Sequence, residues 1–293
     1  SLIHTISTDL VQGNANSIAI GPAPKFLKEG TAYYSYDGHY FYTSYKNLVD
    51  DKKVNKNPYY NYYQYVPHRT TSYLNHAIYN TYVNDKSALY NQADVFFNIQ
   101  AKYTINASMM YALALNESGL GLSQYALEYH NLFGHAAIDE NPDNANQYKS
   151  IADCVKQHAY NFLQQGYLNP EDSRYYGSWF GDKASGINVN YASDPYWGEK
   201  AASFYYQLDE DGIDQKKNPI KIIQLSKDLK VYAPNKKDVI YTHKKGSIVS
   251  IHILKDKYGY YKISSEAPVK DNHLNINAKY KNSYAYIKKS DFK

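Results

Sequence analysis

The spacing of apolar residues changes along the chain and divides it into three regions. Between residues 76 and 210, apolar positions recur every three or four residues, the period of α-helices with a buried face. Before and after this stretch, apolar residues stand in short runs or alternate with polar ones, as in β-strands. We therefore predict an N-terminal extension (1–85), a mostly helical domain (86–210) and, after a polar linker, a β-rich domain (219–293).

The helical stretch contains one segment whose pattern is especially clear. Residues 105–118 present a broad apolar face, and Gly119 and Gly121 then end the helix. Ser150 is the predicted N-cap of a later helix, and Asp194 with Pro195 is the predicted start of another. The predicted helical segments are 76–85, 87–103, 105–118, 123–134, 150–168 and 194–210.

The flanking regions carry turn and strand signals. Residues 1–25 show no period and are interpreted as the remnant of a preceding module. Residues 31–45 alternate aromatic and polar side chains around Asp37-Gly38, which predicts a β-hairpin. Residues 56–69 hold five tyrosines between two prolines. The segment could form an extended strand, a platform that faces a sugar, or a structural layer of rings. Residues 219–293 contain five or six short β-prone runs, spaced as in a small barrel.

Composition indicates a globular protein with an unusual excess of tyrosine. The 293 residues are 43% hydrophobic and 20% charged, and 36 of them are tyrosine. Tyrosine suits a wet surface that binds amphipathic ligands such as sugars, although a general compositional bias is the alternative. The single cysteine, Cys154, excludes an internal disulfide and is expected in the core. No apolar run is long enough to predict a membrane span, and no zinc-ligand spacing, metal site or other cofactor is predicted.

Charge is distributed unevenly along the chain. The net charge is only +4, but residues 219–293 contain 16 lysines and six acidic residues. The rest of the chain is therefore acidic, which favours a basic targeting module joined to an acidic domain. A solvated lysine-rich surface is the simpler alternative.

Glu117 is the candidate catalytic residue on chemical grounds. It lies in the last turn of an apolar helix, where free carbonyl groups and apolar neighbours both disfavour a charged carboxylate. Both effects raise its pKa, so that it could act as a general acid, as glycosidases require. From chemistry alone, an ordinary exposed glutamate at a helix end is the simpler interpretation.

Three motifs in order change that interpretation. The segments NESGLGLS (116–123), NLFG (131–134) and YASDPYWGEK (191–200) resemble those of glycoside hydrolase family 73, the β-N-acetylglucosaminidases of bacterial peptidoglycan. The resemblance covers roughly residues 90–210. It implies a lysozyme-like, mostly α catalytic domain with a small β lobe and a cleft, and hence a multidomain α+β chain.

The resemblance also assigns catalytic roles. It implies that Glu117 is the general acid and that Asp139, with two further acidic residues nearby, is the best match to a second carboxylate that holds or activates water. Tyr191 matches a cleft tyrosine that could orient the substrate's acetamido group or stabilise positive charge. Asp194, in the same motif, is interpreted as a helix N-cap rather than a catalytic acid.

Four further residues are candidates for contact with the substrate. Asn131 and Phe133 belong to the NLFG motif, with Phe133 expected in the floor of the cleft. Trp179 and Trp197 could stack on sugar rings or could equally lie in the core. His135 stands where the family usually has an apolar residue, a departure that could alter the cleft floor.

Three reaction routes remain open at this point. Two carboxyl groups about 5 Å apart would imply a retaining double displacement, and roughly 6.5–9.5 Å would imply inversion through water. The third route uses the N-acetyl oxygen of the substrate as the nucleophile. Glu117 is the acid in all three.

The C-terminal region resembles, in pattern, a bacterial SH3-like wall-binding module. Its lysine excess suits peptidoglycan-associated anionic polymers, and no nucleic-acid-binding signature accompanies it. The expected partners are therefore glycan strands and wall polymers, with the chain a monomer.

The expected function is that of a secreted, cell-wall-associated autolysin that cleaves the β-1,4 bond between GlcNAc and MurNAc. A muramidase or lytic transglycosylase of lysozyme-like fold is the enzymatic alternative. A wall-binding protein without activity is the other. Cell separation, wall remodelling and phage-encoded lysis are the biological roles left open.

Overall fold

The structure of the chain, a computed structural model, describes residues 1–9, 14–135 and 147–293. A helical body lies between a short N-terminal hairpin and a C-terminal antiparallel sheet. Asp139, the predicted second carboxylate, falls outside the described residues, so its role stays a prediction.

The helices and strands follow in chain order. The α-helices are α1 Tyr45–Val49, α2 Tyr62–Tyr65, α3 Ala93–Tyr103, α4 Ala107–Glu117, α5 Gln124–Tyr129, α6 Ile151–Gln157, α7 Asn188–Tyr191, α8 Trp197–Leu208 and α9 Ile213–Lys217. Two 3₁₀-helices span His76–Tyr82 and Lys289–Asp291, and a π-helix spans His158–Tyr167. The strands are β1 Leu2–Asp9, β2 Asn14–Gly21, β3 Ile220–Gln224, β4 Leu229–Tyr232, β5 Val239–His243, β6 Ile248–Lys257, β7 Tyr260–Ile263, β8 Val269–Lys270, β9 His273–Leu274 and β10 Ala285–Lys288.

Helix α4 is the central element of the helical body. Asn106 caps it, its Oδ1 accepting from the Met109 amide at 3.0 Å. Every residue from Ala107 to Leu115 is buried, because α8 and α3 pack against the helix. The sequence predicted one broad apolar face, but an apolar helix of this kind is enclosed on all sides. The helix thus carries Glu117, its last residue, on a rigid support.

Two predicted helix starts have different outcomes. Ser150 caps α6 as predicted, its Oγ accepting from the Asp153 amide at 3.1 Å. Helix α8 begins only at Trp197 with Tyr196 as its N-cap residue and no side-chain cap, so Asp194 is not the N-cap. Its Oδ1 instead accepts from the Tyr196 amide at 2.9 Å in the turn that precedes the helix. The helix predicted over 150–168 is divided into α6 and the π-helix.

The N-terminal region differs from the prediction. Residues 1–25 contain the β1–β2 hairpin, and β2 packs against α8, so this segment is part of the body rather than a remnant. The hairpin predicted over 31–45 is reduced to one bridge between Tyr34 and Tyr42, although Gly38 makes the expected turn with φ of 74°. Asp37 favours this tight turn because its side chain accepts from two backbone amides.

The predicted small β lobe of the central domain is not seen. No strand occurs among the described residues of 86–210. Residues 168–187, where a lobe could form, are rich in glycine, serine and aspartate, which favour turns over strands.

The C-terminal sheet has six antiparallel strands in the order β3-β6-β7-β10-β4-β5. Its inner face buries Leu229, Val231, Ile263 and Ile287, among others. Trp179 and Tyr65 from the rest of the chain are buried in the same cluster, so the sheet is built onto the helical body.

A buried polar network strengthens this junction. The Arg69 guanidinium donates to the Glu266 carbonyl at 3.0 Å and lies 4.0 Å from the centre of the Tyr280 ring. The Glu266 carboxyl accepts from Ser178 Oγ at 2.9 Å and from the Tyr175 hydroxyl at 3.1 Å. Burial raises the pKa of Glu266 to about 7, against the opposing effect of those hydrogen bonds. Ionisable groups enclosed in this way hold the two domains in one relative position.

The helices that the structure describes are all too short or too polar to cross a membrane.

Candidate active site

The turn after α4 fixes the position of Glu117. Ser118 ends the helix, its Oγ donating to the Ala114 carbonyl at 2.5 Å and accepting from the Gly121 amide at 2.8 Å. The Leu120 amide returns to the Leu115 carbonyl at 2.8 Å. These bonds satisfy groups at the helix end that would otherwise lack partners. The last turn therefore keeps one conformation, and the glutamate side chain starts from a fixed backbone.

The two glycines of this turn have different reasons to be glycine. A Cβ on Gly121 would lie 2.2 Å from Ser87 Oγ and 3.0 Å from the Leu89 amide nitrogen. Ser87 Oγ in turn donates to the Leu120 carbonyl at 2.7 Å. A Cβ on Gly119 would meet nothing within 4 Å. The segment that contains Ser87 and Leu89 thus packs closely against Gly121. Of the two glycines, only Gly119 leaves open space for a ligand.

The carboxyl group of Glu117 has one occupied oxygen and one open oxygen. Oε1 accepts from Trp197 Nε1 at 2.5 Å and from Asn116 Nδ2 at 3.2 Å. No hydrogen bond reaches Oε2 from the described residues, and a Cβ on Gly134 would stand 3.5 Å from it. Because Oε1 already accepts two donors, a proton on this carboxyl resides on Oε2. The proton would therefore face the glycine of the NLFG motif.

Burial raises the pKa of Glu117 above its usual range. The hydrogen bonds from Trp197 and Asn116 partly offset this effect, because they favour the ionised form. More distant charges act in opposite directions, with Asp194 raising the pKa and Lys200 lowering it. The half-buried carboxyl agrees with the sequence argument that its environment favours the protonated form.

Tyr191 is brought to the same place as Glu117. Its ring stacks on Trp197 with centroids 4.7 Å apart and planes 29° apart. Its hydroxyl donates to the Phe133 carbonyl at 3.3 Å. Burial and the nearby Glu117 charge raise the pKa of Tyr191 well above its usual value, so the hydroxyl stays neutral. The fold thus gathers residues from all three sequence motifs around one carboxyl group.

Asn131 and Phe133 do not expose their side chains to a ligand. Asn131 is buried and closes the NLFG loop, with Nδ2 donating to the His135 carbonyl at 3.0 Å. Phe133 is also buried and stacks on His158 at 3.8 Å. Burial of both side chains favours support of the site over contact with a ligand, and the position of Phe133 agrees with a floor residue.

His135 occupies the apolar position of the motif as a neutral ring. It stacks on Phe162 at 3.7 Å, and its Nδ1 shares a hydrogen bond of 2.8 Å with the Tyr148 hydroxyl. Burial lowers the pKa of His135 to about 3. An uncharged imidazole between aromatic rings replaces an apolar side chain without adding a charge beneath the site.

The two tryptophans have separate roles. Trp179 is buried in the core of the C-terminal sheet and donates to Ser185 Oγ at 3.0 Å, a position that agrees with the alternative of a core residue. Trp197 is only 3% exposed, packed between Tyr191 and Phe180. These neighbours cover the indole ring of Trp197. Its contact with the site is the N–H that it donates to Glu117. Trp197 is thus a positioning residue rather than a stacking surface for sugars.

Asp194 is not a free second carboxylate. Its Oδ2 pairs with Lys200 Nζ at 2.5 Å. Burial opposes ionisation, but the hydrogen bonds from Lys200 and the Tyr196 amide prevail and lower the pKa of Asp194. No described carboxylate shares a hydrogen bond with Glu117.

A surface cavity of about 300 Å³ adjoins the turn after Glu117. Leu120 and Leu122 form its near wall, and the segment from Thr81 to Ser87 forms the rest. The residues that line the cavity combine apolar side chains with the Asn84 amide and the hydroxyl-bearing Thr81, Tyr82 and Ser87.

Sequence reasoning missed two residues of the site. Asn116 precedes Glu117 directly, and its adjacency was the available signal. Ser87 contacts the turn from 33 residues away in the chain, a separation at which no local pattern gives a signal. The N–H donation by Trp197 likewise joins residues 80 positions apart.

Comparisons with solved structures return bacterial autolysins at low superposition scores. The catalytic mutant of Staphylococcus aureus autolysin E in complex with the disaccharide NAG-NAM is 21% identical, with a TM-score of 0.39, over 50% of this chain and 72% of that one. The Major Bifunctional Autolysin is 25% identical, with a TM-score of 0.36, over 49% and 65%.

Comparisons of sequence are more specific. Two Streptococcus pneumoniae proteins, from strains TIGR4 and R6, are each named "Putative endo-beta-N-acetylglucosaminidase" and are 35% identical over 133 residues. The match covers 43% of this chain but only 18% and 17% of theirs, so this chain spans less than a fifth of their length. The model of the family Glucosaminidase, described as mannosyl-glycoprotein endo-beta-N-acetylglucosaminidase, matches residues 93–210. This segment holds α3 to α8 and all three motifs, so the helical domain is the part of the chain that is similar to the glucosaminidase family.

Proposed function

We propose that the chain is an endo-β-N-acetylglucosaminidase that cleaves the β-1,4 bond on the reducing side of GlcNAc, before MurNAc, in peptidoglycan. One observation carries the proposal. Glu117, in a domain similar to the glucosaminidase family, has one oxygen held by Trp197 and Asn116 and the other directed over Gly134.

The acid step follows from this arrangement. Protonated Oε2 of Glu117 gives its proton to the glycosidic oxygen while the bond from that oxygen to the anomeric carbon breaks. MurNAc leaves as the alcohol, and positive charge develops on the GlcNAc ring. The carboxylate that remains is stabilised by the Trp197 N–H, a charge-assisted hydrogen bond that is stronger than the bond to the neutral acid. The same N–H therefore contributes more after proton transfer than before it.

Water then completes the hydrolysis at the anomeric carbon. We propose Asp139 as the residue that activates this water, on the family resemblance alone. Tyr191 supports the acid through its stack on Trp197. The proposed contact of its hydroxyl with the acetamido group would require the bond to the Phe133 carbonyl to be given up.

The cavity beside the Glu117 turn extends the proposed substrate site. Its volume suits a part of the substrate that carries both methyl and amide groups, such as an N-acetyl group or the start of a stem peptide. Its wall from Thr81 to Ser87 precedes the segment that the family model matches.

We further propose that the enzyme acts outside the cell, where peptidoglycan lies, as a secreted monomer. The C-terminal sheet is proposed to be an SH3-like module that attaches it to the wall. The attachment is supported by the surplus of ten positive charges in residues 219–293.

Mass spectrometry of digested peptidoglycan tests the enzyme proposal. Purified sacculi are incubated with the chain, with Glu117→Gln and with Glu171→Gln, and the products are reduced with borohydride. Glu171 is an exposed glutamate and makes Glu171→Gln a control of the same chemistry. We expect new reduced GlcNAc ends from the chain and from the control, and none from Glu117→Gln.

The other outcomes separate the alternatives. Reduced MurNAc ends would indicate a muramidase, and anhydro-MurNAc a lytic transglycosylase. Sedimentation with sacculi without any new ends would indicate a wall-binding protein. Full activity of Glu117→Gln would remove Glu117 from the role of acid.

A further inference from the structure

One face of the C-terminal sheet combines tyrosines and lysines in a regular arrangement. It is the outer face of β4, β7 and β10, opposite the buried side that holds Val231, Ile263 and Ile287. We call it the tyrosine–lysine face. It consists of Tyr232, Lys236, Tyr260, Lys262, Tyr284, Tyr286 and Lys288. Tyr232 and Tyr286 are buried beneath their neighbours, so the three lysines with Tyr260 and Tyr284 form its accessible part.

Each lysine of this face lies over a tyrosine ring. Lys262 Nζ is 3.8 Å from the centre of the Tyr284 ring, and Lys288 Nζ is 5.2 Å from that of Tyr232. Lys236, from the turn after β4, is shared by two rings, at 5.0 Å from Tyr260 and 4.7 Å from Tyr286. Such contacts hold an ammonium group in place without neutralising its charge.

The strand register generates the alternation. Tyr286 stands opposite Lys262, and Lys288 stands opposite Tyr260, in the antiparallel pair β10–β7. The two lysines are therefore diagonal neighbours, with side chains about 7–8 Å apart at their bases. Lys262 and Lys288 each have a tyrosine two residues away on the same strand and another directly opposite on the neighbouring strand. This alternation separates the positive charges across the face.

The three lysines of this face combine a contact with a tyrosine ring and the lack of an ion pair. Lys227, Lys244 and Lys289 each form an ion pair with an aspartate. Lys236, Lys262 and Lys288 form no ion pair with any carboxylate of the described residues. Asp291 lies near enough to Lys288 for that charge to lower its pKa, but its own ion pair is with Lys227. Three positive charges that form no ion pair favour the binding of an anion on this surface.

We propose that the tyrosine–lysine face binds an anionic phosphodiester polymer with a polyol backbone. This proposal rests on the proposed function, since it specifies how the enzyme is held at the wall. Lysine ammonium groups suit phosphates as point charges, and tyrosine hydroxyls add donors to the phosphate oxygens. The ring edges and lysine stems supply apolar contact for the CH₂ groups between phosphates.

The arrangement disfavours two other occupants. Single-stranded nucleic acid binds by stacking bases on open aromatic faces, but lysines already cover the rings here. An uncharged glycan needs exposed ring faces as well, and it gives the unpaired ammonium groups no partner.

Binding to a purified polymer tests the proposal. The probe is poly(glycerol phosphate), and the protein is the full chain with Glu117→Gln, so that no glycan is cut during the measurement. Titration calorimetry at about 50 mM and about 500 mM NaCl gives the affinity and its dependence on salt, which screens exposed charges. The face variant replaces Lys236, Lys262 and Lys288 by Gln. The control variant replaces Lys270, Lys279 and Lys281 by Gln, which removes the same charge from exposed positions outside the face.

We expect the face variant to bind at least tenfold more weakly than the parent chain and the control to lie within about threefold of it. The slope of log affinity against log salt should also fall by about two to three for the face variant, in proportion to the lost phosphate contacts. Tyr260→Phe with Tyr284→Phe, which keeps both rings, should weaken binding less than the lysine changes.

Two results would overturn the proposal. One is an equal loss of affinity in the face and control variants, and the other is no binding of the polymer by the parent chain. Catalysis plays no part in this measurement, so its failure is distinct from a failure of the glucosaminidase proposal, which the end-group analysis measures.

Discussion

Trp197→Phe isolates the hydrogen bond that holds the proposed acid. The substitution removes the indole N–H that reaches Glu117 Oε1 at 2.5 Å and leaves an aromatic ring to stack on Tyr191. Since the N–H favours the ionised carboxylate, its loss raises the pKa of Glu117. The acid should then stay protonated to higher pH, and the alkaline limb of the pH profile should move upward.

The size of the shift follows from the strength of the bond. A hydrogen bond to a charged group contributes about 1.5–3 kcal/mol, and one pKa unit corresponds to about 1.4 kcal/mol. Full loss would therefore raise the pKa by about one to two units. Because Glu117 is partly exposed and keeps its bond from Asn116, solvent and that donor reduce the effect, and we expect about one unit. Orientation of the acid also becomes looser, which should lower kcat by about tenfold.

The assay is the pH dependence of kcat/KM from about pH 5 to pH 9 on soluble glycan strands, because this quantity reports the free enzyme. Trp179→Phe is the matched control, since its indole donates to Ser185 and not to the acid. Thermal unfolding of both variants shows whether either has lost its fold. An alkaline limb that stays in place, or that moves to lower pH, in a folded Trp197→Phe would refute the assignment of Trp197 as the donor that tunes Glu117.

Three further predictions follow from distances and charges. Gly134→Ala should lower kcat by about 10- to 100-fold, because the added methyl group would stand 3.5 Å from Glu117 Oε2 and cover the open oxygen. This loss is part of what a general acid contributes. Circular dichroism should show that the variant retains its fold. Gly121→Ala should lower the melting temperature far more than Gly119→Ala, since both sites have positive φ but only the first meets Ser87 Oγ at 2.2 Å; equal effects would mean that strain alone matters. Glu266→Gln should stabilise the chain above pH 7 relative to the parent. Because the folded pKa of Glu266 is about 7, the parent chain loses up to about 3 kcal/mol of folding stability as pH rises from about 4.5 through about 7. Denaturant unfolding at about pH 5 and pH 8 checks this, and a variant less stable than the parent at both values would contradict it.

Local patterns predicted the helical part of the chain well. Apolar residues at spacings of three and four marked α4 and α8, and Ser150 marked the start of α6, because these signals depend on neighbours within one or two turns. The raised pKa of Glu117 was also predictable, since a helix end among apolar residues disfavours charge.

Long-range contacts account for what the sequence did not predict. The β1–β2 hairpin has no clear alternation, and its pairing is supported by packing on α8. Trp179 and Trp197 looked alike as candidate sugar platforms, but contacts with distant segments bury both. The π-helix after α6 has the composition of an ordinary helix, and only its packing, with His158 on Phe133, distinguishes it.

The junction between the domains determines how wall binding and cleavage are related. Trp179 and Tyr65 contribute to the core of the C-terminal sheet, and Arg69 is enclosed between Tyr280 and the Glu266 carbonyl. Hinge motion at this junction would expose the buried Trp179 and Tyr65 rings and separate the Arg69 guanidinium from its carbonyl and ring partners, so it is unfavourable. The tyrosine–lysine face and Glu117 therefore keep a fixed separation, unlike two modules on a flexible linker. A polymer bound on that face would then select which glycan bonds Glu117 can reach, because the wall is presented to the cleft at one distance and one angle.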